Sequence, residues 1–121
     1  MTDLLEICSL SMHFGGLKAV EEVSLGIQAG SITSIIGPNG AGKTTLFNCL
    51  SGVYLPTAGS IRFREEDITR LPDHAVTALG IARTFQNIRL FGRMTVLENV
   101  LVGAHVRSRA GVTGALLRSR K

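Results

Sequence analysis

An α/β fold of the phosphate-binding-loop (P-loop) type is the architecture that this 121-residue sequence predicts, and three observations carry it. The run Ser31-Ile32-Thr33-Ser34-Ile35-Ile36 is rich in β-branched residues and reads as a buried strand. Gly37-Pro38-Asn39-Gly40-Ala41-Gly42-Lys43-Thr44-Thr45 then fills every fixed position of the pattern G-x-x-x-x-G-K-[ST]. Leu46, Phe47 and Leu50 follow at helical spacing until Gly52, a natural helix end. Strand, loop and helix in that order separate a nucleotide site from turn glycines that match by accident.

The loop's residue types follow from the ligand. A triphosphate places several negative charges close together, and a chain that wraps it must aim successive backbone N–H groups inward, which needs relaxed φ angles and close backbone approach. Gly37, Gly40 and Gly42 supply that freedom, with Pro38, Asn39 and Ala41 completing the wrap. Lys43 is expected to reach the outer phosphates as a mobile point charge, and Thr44 to offer its hydroxyl to Mg²⁺. Thr45 adds an inner-phosphate contact, and the helix beyond points its unpaired N–H groups at the anion. A nucleoside triphosphate and Mg²⁺ are the expected ligands.

In chain order, Leu4 to Phe14 alternates loosely and ends at Gly15-Gly16, a strand closed by a turn. Phe14 admits two readings from spacing alone, a core ring or a ring stacked on a purine. Val20 to Ile27 is a second strand, and Ala29-Gly30 turns into the strand at Ser31. After Gly52, Pro56-Thr57-Ala58-Gly59 is a turn and Ser60 to Phe63 a short strand, with Glu65-Glu66-Asp67 a solvated edge. Asp73 is placed to cap a short helix that Gly80 closes. Ile81 to Phe85 reads as a strand delivering Gln86 at its carboxyl end, where open α/β sheets hold ligands. Leu90, Phe91 and Met94 are large apolar groups in a loop, either a contact surface or a buried satellite cluster. Thr95 and Glu98 form a capping box that starts a helix running to about Ala104, and Ala110 to Gly114 breaks the pattern before a basic end.

The formal charge of +4 is a property of that end: five basic residues and no acid follow residue 102, whereas the first 102 residues hold 8 basic and 9 acidic groups. No basic patch or reading motif for nucleic acid accompanies it, so nucleic-acid binding is not expected. Cys8 and Cys49 make no disulfide framework and read as small buried thiols in a reducing compartment. His13, His74 and His105 have no ligand spacing. The N-terminus carries Asp3 and Glu6 rather than a basic signal region, and no apolar run approaches the roughly 18 residues of a membrane span. A cytoplasmic chain that meets the membrane only through a partner is expected.

Three stretches together carry a family resemblance: Gly37 to Thr45, Gly80-Ile81-Ala82-Arg83-Thr84-Phe85-Gln86-Asn87, and Met94-Thr95-Val96-Leu97-Glu98-Asn99-Val100. The chain resembles the N-terminal half of an ABC transporter ATP-binding subunit, and the stretches Gly80 to Phe91 and beyond Met94 are similar to the branched-chain amino acid importer type. The resemblance implies an ABC ATPase core with an N-terminal antiparallel β subdomain, residues 1–102 holding the ATP-binding core and Q-loop region and 103–121 beginning the helical subdomain. It implies that Phe14 stacks on adenine, and that Gln86 is the Q-loop glutamine that touches Mg²⁺ and the attacking water and acts with Lys43 in catalysis. The implied partners are a second ATP-binding subunit and transmembrane permease subunits.

The chain also departs from that family. It has no apolar strand ending in Asp-Glu (Walker B), no Leu-Ser-Gly-Gly-Gln signature and no switch histidine, all of which the family carries later, so a truncated chain is expected. Such a chain should bind ATP far better than it hydrolyses it, and should associate through open strand edges. A soluble ABC-type ATPase of repair or translation and a non-catalytic ATP-binding module are the alternative readings.

Overall fold

The computed structural model describes residues 3–87 and 89–104; the predicted break at Ala110 to Gly114, the basic end and His105 lie outside them. The chain divides into two compact units, Met1–Arg83 and Thr84–Lys121.

In the first unit, β1 (Leu5–Phe14) and β2 (Leu17–Ile27) form an antiparallel hairpin turning at Gly15-Gly16. Helix α1 spans Lys43–Leu50, β3 spans Ala58–Phe63, β4 is the two-residue strand Glu66–Asp67, and α2 spans Asp73–Ala78. The sheet order is β2-β1-β3-β4, every neighbour pair antiparallel. This is the expected antiparallel β subdomain.

The loose alternation of β1 has a structural cause. Apolar residues fall on odd positions at Leu5 and Ile7 but on even ones at Leu10 and Met12, and a bulge between them restores one buried face. Ser9 sits at φ 44° in that bulge, its N–H donating to Ser24 Oγ at 2.8 Å. Gly59 of β3 lies opposite: a β-carbon there would stand 2.4 Å from Ser9 O and 2.6 Å from Cys8 O, so the bulge tolerates only glycine across from it. Ile7, Leu10, Val20, Ile61 and Phe63 of the sheet meet Leu46, Cys49 and Leu50 of α1, one i, i+3, i+4 stripe, in a single buried core with Ile68. Burial raises the Cys49 thiol above its ordinary range, while Cys8 is only half buried.

Three sequence expectations are corrected. Residues 31–36 and 81–85 form no strand, and Ile32 and Ile36 stand 98% and 94% exposed. A strand is defined by its partner, and no described strand pairs with either segment. The acids at 65–67 are not only a solvated edge: Arg64 and Glu65, at φ 50° and 69°, make a two-residue turn that pairs Glu66 and Asp67 with β3. Asp67 accepts from the Thr69 N–H at 2.8 Å, and bonding to Thr69 lowers its carboxyl below the usual range. Asp73 is the first helical residue and not the cap; Pro72 holds the cap position without a side-chain bond.

In the second unit, α3 (Val96–Gly103) begins with the predicted capping box, the Glu98 N–H donating to Thr95 Oγ1 at 3.3 Å and the Thr95 N–H to Glu98 Oε2 at 2.7 Å. Asn99 ties the preceding turn to this helix, accepting from the Phe91 N–H at 3.0 Å and donating to Thr95 O at 2.9 Å. Leu90, Phe91 and Met94 are exposed at 71%, 56% and 44%, so they are not a buried satellite cluster. No helix of the described residues is long and apolar enough to cross a membrane.

Candidate functional site

Residues 37–42 form an exposed loop that enters α1 at Lys43. Gly40 and Gly42 take left-handed backbone, φ 83° and 86°, and Gly42 is the N-cap of α1. Gly42 is forced twice: besides its φ, a β-carbon there would stand 2.1 Å from the Ala19 carbonyl oxygen of β2. The loop is thus clamped onto the sheet at the point where the helix starts.

The N-terminus of α1 is left open to a ligand. No side chain caps it, and its first turn contains no acid. The leading N–H groups of a helix have no intrahelical acceptor, so here they carry partial positive charge that neither a side-chain cap nor a first-turn acid neutralises. Lys43 folds back over the loop, its ammonium donating to Gly37 O at 2.5 Å and Pro38 O at 2.6 Å. Pro38 O also accepts from the Ala41 N–H at 3.3 Å, which closes the turn. Thr44 is exposed and Thr45 half buried in the same first turn. An ammonium held at the centre of a glycine-bent loop, beside an uncapped helix end, suits a compact polyanion.

The other predicted residues lie apart in sequence. Phe14 ends β1, 43% exposed, and packs edge to face against Tyr54, ring centroids 5.4 Å apart and planes at 78°. Sequence reasoning missed Tyr54, whose signal was available: it is the only tyrosine, in a stretch between helix end and strand. Gln86 is exposed in a bend of the second unit and does not end a strand. Arg83, read before only as part of a motif, donates to Asn48 Oδ1 on α1 and lies 6.0 Å from the Phe47 ring centroid.

Among the described residues no group of three or more His, Cys, Asp or Glu side chains could hold a metal. The Thr44 hydroxyl is the loop oxygen that could meet a cation there. A hollow of about 340 Å³ beside the loop is lined by Ala41, Gly42 and Lys43 on one side and by Val20, Glu21, Val23, Leu25, Ile35 and Leu46 on the other, so its wall is apolar away from the loop. A hollow of about 430 Å³ between Leu55 and Leu71 contains none of the predicted residues.

Comparison with known proteins gives a consistent set of likenesses. The chain is 50% identical over 116 residues to the high-affinity branched-chain amino acid transport ATP-binding protein LivG of Salmonella typhimurium, covering 96% of this chain and 46% of the relative. It is 54% identical over 102 residues to the corresponding protein BraF of Pseudomonas aeruginosa, covering 84% and 40%. The ADP conformation of an ATP-binding cassette of an ABC transporter superposes with a TM-score of 0.77 at 33% identity, over all of this chain and 47% of that one. The chain spans about half the length of the curated relatives it matches. The family model for the ABC transporter matches residues 20–120, and the chain belongs to that family, whose members bind nucleotide.

Proposed function

We propose that this chain is the ATP-binding portion of a subunit that powers ABC-type import of branched-chain amino acids. The observation that carries the reading is the uncapped, acid-free N-terminus of α1 beneath the Lys43 ammonium. In it Gly37, Pro38, Asn39, Gly40, Ala41 and Gly42 wrap the phosphates, with Lys43, Thr44 and Thr45 closing on them from the helix. Lys43 exchanges the Gly37 and Pro38 carbonyls for outer phosphate oxygens, a gain in charge for an ammonium already in position. Phe14 stacks on the base. Thr44 would hold Mg²⁺ through its hydroxyl and Gln86 through its side-chain oxygen, beside oxygens of phosphate and water, the ligand type this cation prefers. Gln86 would also orient water. When bound, Mg²⁺ neutralises charge that develops between the outer phosphates.

Support for the solute class comes from the names of the relatives, LivG and BraF, and for a membrane partner from the exposed Leu90, Phe91 and Met94. The full assembly holds a second ATP-binding subunit and permease subunits, and the chain sits on the cytoplasmic face through them. A cysteine placed at Phe91 should crosslink to the permease of the reconstituted importer. Unmodified permease in a fully assembled complex would contradict the docking surface.

Binding without turnover is the reading for these 121 residues taken alone. Phosphoryl transfer to water is faster with a carboxylate base to activate the water that Gln86 orients. The nine carboxylates are Asp3, Glu6, Glu21, Glu22, Glu65, Glu66, Asp67, Asp73 and Glu98, and every one is at least partly exposed, with none ending an apolar strand beside the loop. Steady-state phosphate release should stay near the uncatalysed level, against clear turnover by a full-length relative. Comparable turnover by the two would refute it and point to one of those nine.

A further inference from the structure

The Phe14 ring is not free at the end of its strand. Its edge-to-face partner, Tyr54, follows α1, and the Val53 and Tyr54 N–H groups both donate to Asn48 O of that helix, at 2.9 and 3.1 Å. The same segment is stitched to the end of β1: the Thr57 N–H donates to Ser11 O at 2.8 Å, and the His13 N–H donates to Thr57 Oγ1 at 3.0 Å. Tyr54 is therefore fixed both to the helix that starts at the phosphate loop and to the strand that carries Phe14. Neither ring is buried, Phe14 being 43% and Tyr54 36% exposed, so core packing does not account for the pair. An edge-to-face contact engages at most one face of the Phe14 ring.

We propose that Tyr54 is a positioning residue for purine recognition, holding the Phe14 ring in the orientation that stacks the base without itself contacting the nucleotide. This rests on the reading that Phe14 stacks the base. A Phe beside a two-glycine turn has several side-chain rotamers within reach, and selecting one on binding weakens affinity. Tyr54 makes that selection during folding, so the stacking face is prepared before the ligand arrives. The contact is between ring edge and ring face, so Phe at position 54 serves equally, while an aliphatic side chain does not.

The test compares Mg·ATP and Mg·tripolyphosphate affinities, by calorimetry, for the 121-residue chain and its Tyr54→Phe, Tyr54→Leu and Phe14→Ala variants, with circular dichroism as the check on folding. Tyr54→Leu, which keeps bulk at the site, should weaken Mg·ATP roughly three- to tenfold, the range an aromatic pair supplies. It should leave tripolyphosphate binding unchanged, and Tyr54→Phe should match the parent. Unchanged ATP affinity in Tyr54→Leu beside a loss in Phe14→Ala would overturn the positioning role and spare the stacking. No loss in Phe14→Ala would overturn the stacking itself. Equal losses for both ligands or failure of Tyr54→Phe would each contradict the proposal.

Discussion

The Arg83 guanidinium donates a hydrogen bond to the Asn48 side-chain oxygen, fastening the chain that leaves the first unit to the helix that begins at the phosphate loop. Ser51 Oγ at 3.5 Å and the Phe47 ring also lie against it on that helix. Arg83→Met should cost about 1–2 kcal/mol, the size of one partly buried charge-assisted bond. Denaturant unfolding of Arg83→Met, Asn48→Ala and the double variant measures it. A coupling above about 0.5 kcal/mol is expected, and additive losses would show that the contact contributes nothing.

Gly42→Ala should damage both stability and nucleotide binding. Left-handed backbone alone costs a residue with a β-carbon about 1–2 kcal/mol, and the new carbon would also press on the Ala19 oxygen at 2.1 Å. Gly59→Ala meets Ser9 O at 2.4 Å and should destabilise comparably, yet it lies outside the loop and should keep its ATP affinity where folded. Thermal melts with and without Mg·ATP separate the two: only Gly59→Ala should still be stabilised by the ligand.

Much of this was legible from residue types at fixed spacing. The loop, the Gly15-Gly16 hairpin and the Thr95–Glu98 box each depend on a few neighbouring residues, and each formed as expected. The strand readings at 31–36 and 81–85 failed because a ladder belongs to two segments, and β-branched residues such as Ile32 and Ile36 cannot supply the second. The β3–β4 turn was invisible because Arg64 and Glu65 adopt positive φ without the glycine that usually announces it. Tyr54 escaped notice because its role lies in a contact with a residue forty positions earlier in the chain.

The start of α3 should respond to acid. Bonds from the Thr95 N–H and hydroxyl hold the Glu98 carboxyl below its ordinary range, so the folded form favours the carboxylate. A depressed folded pKa contributes stability that is fully present above the unfolded value and is lost as pH falls through the folded one. Amide exchange at the first turn of α3 should therefore accelerate below the ordinary glutamate range, and Glu98→Gln should flatten that dependence. A pH response identical in both proteins would contradict the capping role.

Purine selectivity should be weak. A ring face stacks on either purine, and stacking supplies little discrimination. Competition of GTP against ATP should show at most about a tenfold preference, or 1.4 kcal/mol. A much larger ratio would reveal a side chain hydrogen-bonding the base edge.

On the proposed function, the loop from Gly37 to Thr45 binds Mg·ATP through Lys43, whose ammonium already sits over the Gly37 and Pro38 carbonyls. Titrating labelled ATP into the chain and into Lys43→Ala, with circular dichroism to confirm equal folding, tests it directly. Losing one charge-assisted phosphate contact should weaken binding by about 1.5–3 kcal/mol, roughly ten- to a hundredfold. Equal affinities in two equally folded proteins would contradict the assignment.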